Sequence, residues 1–149
     1  GIAKTNKGLC RVYFPEEAPF DKALKRDFPD FLFVKDDTSC TYIKKQIEEY
    51  FSGKRTSFEL ELDLQCPPFY KKTLKEVNKI PFGKTVSYKD IAERAGNSKA
   101  VRAAGSANAN NPLPIVIPCH RILNTGGGLG GYGGNLQRKV YLLELEDSL

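Results

Sequence analysis

Cys119 and His120 are neighbours in the chain, and His120 is the only histidine among its 149 residues. Cysteine attacks as the thiolate, and imidazole is well suited to take a thiol proton near neutral pH. The pair therefore has the composition of a nucleophile with its base. Two things weigh against that chemistry. Neighbours in a strand point to opposite faces, so contact needs a bend or a bridging water, and free cysteine is commonly a plain core residue. The other cysteines, Cys10, Cys40 and Cys66, form no CxxC pair, so with one histidine no metal site is expected. No cofactor is expected either. The stretch Thr125–Asn135 holds seven glycines around Tyr132 but lacks the GxxxxGK[ST] pattern of a nucleotide loop. It is expected to form a pliable wall over a flat ligand, with Tyr132 as its aromatic surface.

The elements around the pair must position it. Leu113–Ile117 is a short apolar run, expected to be a buried strand that delivers Cys119. Upstream, Ser87-Tyr88-Lys89-Asp90 has the spacing of a capping box, Ile91, Ala92 and Ala95 make a buried stripe, and Gly96 ends that helix. Asn97 or Ser98 is placed to cap a second helix from Lys99 to about Ala107, which gives a helix-turn-helix. There Lys99, Arg102 and Ser106 fall at outward spacing among Ala100, Ala103, Ala104, Gly105 and Ala107. Small residues let a helix approach another surface closely while one long arginine reaches beyond them. A DNA groove fits that pattern, and so does packing against the protein's own core.

Cys66-Pro67-Pro68 marks a boundary, since consecutive prolines favour extended backbone. After it, Tyr70, Leu74 and Val77 share a helical face, and Leu136–Leu145 has the pattern of a final amphipathic helix. Before it, Gly8–Phe14 is expected as a strand and Thr41–Phe51 as a helix with Ile43, Ile47, Tyr50 and Phe51 on one stripe. Thr56–Leu64 alternates apolar residues at Phe58, Leu60, Leu62 and Leu64, the period of a half-buried strand. The expected fold class is α/β. A small N-terminal α/β domain, residues 1–66, supports a mostly helical C-terminal domain, residues 67–149, with a helix-turn-helix and a short active-site strand.

Residues 1–66 carry eleven Lys/Arg against twelve Asp/Glu, and residues 67–149 carry twelve against six, so the basic excess lies in the second part. Such an excess attracts phosphate-rich partners by counterion release, although a solvated lysine-rich face has the same composition. No apolar run is long enough to span a bilayer, and the polar start GIAKTNKG is unlike a signal peptide. Free thiols and a cytoplasmic location (nuclear in a eukaryote), with no membrane partner, are the expectation.

Ile117-Pro118-Cys119-His120-Arg121-Ile122 resembles the active-site signature of the O6-alkylguanine-DNA alkyltransferases, also called methylated-DNA–protein-cysteine methyltransferases. The resemblance runs from about Phe82 to Glu146 through PFGKTVSY, AVRAAG, NNPLPIVIPCHRI, the Gly/Tyr loop and the last helix, in order. Residues 1–66 are similar only in length and general pattern. The resemblance implies DNA repair by direct reversal, with one alkyl group moved irreversibly from O6-alkylguanine to Cys119 after the nucleotide is flipped out of the duplex. His120 would act through a water on Cys119, with Glu146 orienting the imidazole. Tyr88 would donate to the purine, and Asn111 would tie the recognition helix to the active-site strand. Arg102 would fill the gap in the duplex, with Lys99, Ala103, Gly105 and Ser106 at the DNA. Pro114, Ile122, Tyr132, Gly133 and Gly134 would wall the pocket. The partner would be double-stranded DNA bound by a monomer, with no cofactor, and O4-alkylthymine stays open as a second substrate.

Three departures accompany the resemblance. Some relatives hold a zinc through two cysteines and two histidines, which a chain with one histidine cannot do. Gly133 stands where relatives often have serine, and Asn108 stands where some have bulkier residues, so the size of alkyl group accepted is left open. Two other functions compete. A cysteine hydrolase would use the same pair with many turnovers and an oxyanion hole. A non-catalytic binder of alkylated DNA would need the helix-turn-helix but not Cys119.

Overall fold

The computed structural model describes every residue except Ala18 and Gly134. The chain divides into two compact units, Gly1–Asp63 and Leu64–Leu149.

In the first unit, strands β1 (Ile2–Thr5) and β2 (Gly8–Val12) form an antiparallel hairpin whose register shifts between Ala3 and Lys4. Helices α1 (Phe20–Asp27) and α2 (Asp37–Phe51) follow. The Asp36 carboxylate caps α2 by accepting from the Ser39 N–H at 3.0 Å, so this helix starts four residues before Thr41. Leu9, Ile43 and Tyr50 are fully buried. The strand expected over Thr56–Leu64 reduces to one parallel bridge between Leu62 and Leu9. Only two ladder bonds form there, Leu9 N–H to Glu61 O (2.8 Å) and Asp63 N–H to Leu9 O (2.9 Å). Upstream, the Gln46 side chain from α2 takes both backbone groups of Glu59, at 2.8 and 3.1 Å, where a strand would have paired. The alternation of Phe58, Leu60, Leu62 and Leu64 is a half-buried surface on a segment whose backbone is satisfied by a side chain.

In the second unit, Pro67 and Pro68 start helix α3 (Pro68–Val77), where the missing proline N–H costs nothing. Strand β3 (Val86–Ser87) leads directly into α4 (Tyr88–Arg94). The capping box is present: Ser87 Oγ accepts from Asp90 N–H at 3.1 Å, and the Asp90 carboxylate accepts from Ser87 N–H at 2.8 Å. Aspartate's shorter reach suffices. Gly96 closes α4 in the left-handed region (φ 91°), with Gly96 N–H on Glu93 O and Asn97 N–H on Ala92 O, a Schellman turn.

Helix α5 runs Val101–Ala109 rather than from Lys99. The Asn97 side chain accepts from Lys99 N–H (3.1 Å), which holds 97–99 in a turn, and the helix begins after it. At its other end α5 runs past Ala107 to Ala109, so Asn108 lies within the helix. Helix α6 (Leu136–Leu145) has the expected bounds and is capped by Asn135, whose Oδ1 accepts from Arg138 N–H at 3.0 Å. Leu74, Ile91, Ala104, Ala107, Leu113, Ile117, Ile122 and Leu143 form the buried interior.

The run Leu113–Ile117 is not a strand. Ile117 N–H turns back onto Leu113 O at 2.8 Å, and Asn111 takes both Leu113 N–H (2.9 Å) and Ile117 O (2.9 Å). Asn111 thus takes two of the groups a strand would offer to a ladder, and an isolated bridge between Pro114 and Ile117 is what remains of strand pairing in the run. Ile115, a β-branched residue, sits at φ 74° in this turn, a conformation that costs about 1–3 kcal/mol and must be imposed by its surroundings. The short strand at the site is β4 (Ile122–Leu123), which follows Cys119 and pairs in parallel with β3 through Val86–Ile122 and Ser87–Leu123.

Candidate functional site

Cys119, His120 and Arg121 form a single 3₁₀ turn between the 113–117 turn and β4. That turn supplies the bend which a strand would have lacked, so adjacency in sequence becomes a shared site. The Cys119 thiol is buried and accepts from Asn111 Nδ2 at 3.1 Å. Asn111 thus links the end of α5, the Ile117 carbonyl and the sulfur.

On the other side of the turn, Glu146 is buried at the end of α6. Its Oε1 lies 2.8 Å from His120 Nε2, and Arg121 donates to both of its oxygens at 2.8 and 2.9 Å. Arg121 also donates to Ile80 O at 2.5 Å and lies over the Phe82 ring. A carboxylate can only accept, so the proton of neutral His120 belongs on Nε2 and the lone pair on Nδ1. Lys139, also fully buried, donates to the carbonyls of Ile122 on β4 (2.5 Å) and of Leu129 in the glycine stretch.

Burial pushes the Cys119 thiol above its ordinary value, opposed by the Asn111 amide, the Lys139 charge and the backbone N–H groups of Cys119 and His120. Burial likewise lowers His120, against the pull of Glu146. Lys139 is lowered by burial to about 8, with the Cys119 thiolate acting in the opposite sense. The Tyr88 and Tyr132 hydroxyls are both pushed up, first by burial and then by Cys119.

A cavity of about 570 Å³ opens onto the sulfur. Tyr88, Arg102, Gly105, Asn108, Cys119, Tyr132 and Gly133 are among the residues lining it. Three elements meet there: the start of α4, one face of α5 and the glycine stretch. Gly130 (φ 68°) lies against Tyr88, and a Cβ at this position would fall 3.0 Å from the Tyr88 ring. The Tyr88 hydroxyl donates to Gly131 O over a long 3.5 Å.

The geometry therefore brings Cys119, His120, Glu146, Asn111 and Tyr88 into one region, with Arg102, Gly105, Tyr132 and Gly133 around the cavity. Other expected residues are placed differently. Ser106 does not face outward freely: its hydroxyl is 2.6 Å from the Tyr70 hydroxyl on α3. Lys99 is exposed but precedes α5, and Ala103 is half-buried on it. Pro114 and Ile122 do not line the cavity, and Gly134 lies outside the described residues. No role is assigned to Arg121 or Lys139 from the sequence. Arg121 stood beside the nucleophile in its motif. Lys139 lay on the buried stripe of α6, three and four residues before Leu142 and Leu143, where a charge is a signal in itself. Among the described residues, no group of three or more metal-binding side chains occurs and no helix is long and apolar enough to cross a membrane.

Known proteins share both the fold and the site region. Residues 68–148 match the family described as "6-O-methylguanine DNA methyltransferase, DNA binding domain", and residues 1–64 match its "ribonuclease-like domain". A methylated-DNA–protein-cysteine methyltransferase of Mycobacterium tuberculosis (strain ATCC 25618 / H37Rv) is 47% identical over 103 residues. That match takes in 69% of this chain but only 62% of the relative's length. The inducible methylated-DNA–protein-cysteine methyltransferase of Bacillus subtilis (strain 168) is 39% identical over 148 residues, 97% of this chain and 82% of that one. Among solved structures, Mycobacterium tuberculosis OGT in complex with DNA superposes with a TM-score of 0.84 at 35% identity, covering 99% of this chain and 85% of the other.

His120 gives a clean pH signature, being the only histidine. Its folded pKa is depressed below the ordinary 6.5, so the unfolded chain binds the proton first as pH falls. Below about pH 7, where Lys139 is protonated in the folded and the unfolded chain alike, stability should decline as pH drops through 6.5, with a slope of at most about 1.4 kcal/mol per pH unit from His120. Urea midpoints between pH 7 and 5 should show this decline in the wild type and a smaller one in His120→Gln. A wild-type profile flat across that range contradicts it.

Proposed function

Because the chain belongs to the 6-O-methylguanine DNA methyltransferase family, we propose that it repairs DNA by moving the alkyl group of an O6-alkylguanine onto Cys119, once per molecule. The observation that carries this reading is the shared cavity. The exposed face of α5, with Arg102 and Gly105, and the buried sulfur of Cys119 open on the same space, so a nucleotide leaving a duplex held at α5 meets the thiol directly. A stacked base cannot reach a buried sulfur, and extrusion is the physical requirement.

Duplex DNA is held at α5 by small residues and by backbone-directed charge from Lys99, while Arg102 fills the space vacated by the flipped nucleotide. Phosphate contact carries little sequence information, which suits repair at any site. In the pocket, the thiol proton passes through water to Nδ1 of His120, and Glu146 stabilises the imidazolium. The Cys119 sulfur attacks the alkyl carbon in line. The S–C bond forms as the C–O6 bond breaks, and its electron pair stays on the purine. Tyr88 passes its proton to the departing base and is reprotonated, through water, by the proton that His120 took from the thiol, so the base departs neutral and both Tyr88 and His120 return to their starting forms. Lys139 assists by keeping a cation near the sulfur and by joining β4 to the glycine stretch. The product thioether is a poor leaving group, so the protein is spent after one event. Residues 1–66 support the reactive part, 67–149, and the whole acts as a monomer without a cofactor, in the cytoplasm or in the nucleus of a eukaryote.

Two substitutions test this. Cys119→Ala should abolish repair of a duplex containing O6-methylguanine while leaving duplex binding within about twofold, measured by restored restriction cleavage and by gel shift. Repair surviving the substitution rules the reading out. Arg102→Ala should slow repair of duplex lesions by about 100-fold, corresponding to about 2.7 kcal/mol, and reaction with free modified base by less than about threefold. Equal losses on both substrates would make Arg102 a structural residue.

A further inference from the structure

Asn108 lies on α5 and lines the cavity above Cys119. The residue is only 8% exposed, yet its two polar side-chain atoms are treated unequally. Nδ2 donates to Ala104 O at 2.9 Å, whereas the buried Oδ1 has no hydrogen-bond partner among the described residues. The orientation is fixed by chemistry, because exchanging the two atoms would set one carbonyl oxygen against another. A buried carbonyl without a donor is costly, so the site favours an occupant that brings one.

The position of Asn108 says which part of an occupant that is. The helical turn continues past it, with Asn111 N–H on Asn108 O at 3.2 Å, and Asn111 Nδ2 touches the sulfur at 3.1 Å. Asn108 and Cys119 line the same cavity, so Asn108 borders the space that holds the carbon under attack, roughly 3–3.5 Å from sulfur, together with whatever that carbon carries. The opposite wall leaves room: a Cβ on Gly133 would meet nothing within 4 Å.

Building on the reading of Cys119 as the alkyl acceptor, we propose that Asn108 is a specificity residue for the alkyl group itself. Its Oδ1 selects O6-alkyl chains with a hydrogen-bond donor on the second carbon, the O6-(2-hydroxyethyl)guanine class, over apolar chains of equal length. The displacement is otherwise unchanged. Sulfur bonds to the first carbon, the C–O6 pair leaves on guanine, and the hydroxyl stays on the adduct as S-(2-hydroxyethyl)cysteine. An apolar chain of the same size fills the space but leaves Oδ1 without a donor, and discrimination of this kind exceeds what shape alone provides.

The test uses the full chain and three duplexes, each with one O6-methyl-, O6-propyl- or O6-(2-hydroxyethyl)guanine, and reads single-turnover rate constants from mass gained on Cys119. The wild type should react about tenfold faster with the hydroxyethyl than with the propyl lesion, the worth of one hydrogen bond. Asn108→Leu should bring that ratio to one or below. A wild-type ratio of one overturns the proposal, as does a ratio that Asn108→Leu leaves unchanged. Equal slowing of all three lesions in the variant also overturns it, since Oδ1 would then serve the base. The wild-type ratio decides alone if the variant does not fold. Failure of the wild type to accept even methyl is a different result, and it removes the underlying reading together with this one.

Discussion

A carboxylate shut away from water stays charged only if its surroundings replace the lost hydration, and at Glu146 the Arg121 guanidinium, the His120 ring and, over 3.4 Å, the Gly83 N–H contribute to this. Arg121 meets both carboxylate oxygens, and His120 meets one of them. Each link fixes something else. Arg121 carries the interaction to the Ile80 carbonyl beyond α3, and His120 carries it to the residue bearing the thiol. The last turn of α6 and the 3₁₀ turn 119–121 are thereby held in one geometry. Loss of one member of such a group leaves another charge buried without compensation, which typically costs about 3–5 kcal/mol. Asn111 completes the constraint from the opposite side by taking the backbone of the 113–117 turn and touching the sulfur.

The electrostatic consequence is a balance at Cys119. Burial favours the neutral thiol, while the Asn111 amide, the Lys139 ammonium and two backbone N–H groups favour the thiolate. Lys139 is itself held below its ordinary value by burial, so the site stores two groups whose charged forms support each other. The left-handed backbone at Ile115 shows that the approach to the thiol is not a relaxed conformation. Strain of this kind persists because the surrounding bonds over-determine it. If Cys119 is the alkyl acceptor proposed above, it is used once, so accuracy in placing it counts and no product need be released from it.

Much of the positioning machinery was legible in the sequence. The capping box at Ser87 and Asp90, the glycine stop at Gly96 and the bounds of α6 depend on local chemistry that residue types specify directly. The Cys-His pair and the glycine wall announced themselves by type and spacing. The run 113–117 misled because apolar content signals burial and not conformation, and what decided its path was Asn111, two residues outside it. Thr56–Leu64 misled for a similar reason, with Gln46 from a distant helix occupying its backbone. The start of α5 was displaced by an asparagine turn, and Ser106 was claimed by Tyr70. Each of these outcomes turned on a polar side chain's choice of partner, close in sequence for Asn97 and Asn111 and distant for Gln46 and Tyr70. Arg121 owes its role to burial, a property of the fold rather than of its residue type, whereas Lys139 is marked in the sequence by a charge on the apolar stripe of α6.

The central claim is that this molecule is consumed by alkylation of its own Cys119. The most direct measurement is intact mass after incubation with excess duplex DNA carrying O6-methylguanine, followed by peptide mapping. The predicted result is a single gain of one methyl (about 14 Da) on the peptide containing Cys119, with one guanine restored per protein molecule and no further turnover. Unchanged mass with folded protein bound to the lesion would contradict the claim, and so would more than one guanine restored per molecule.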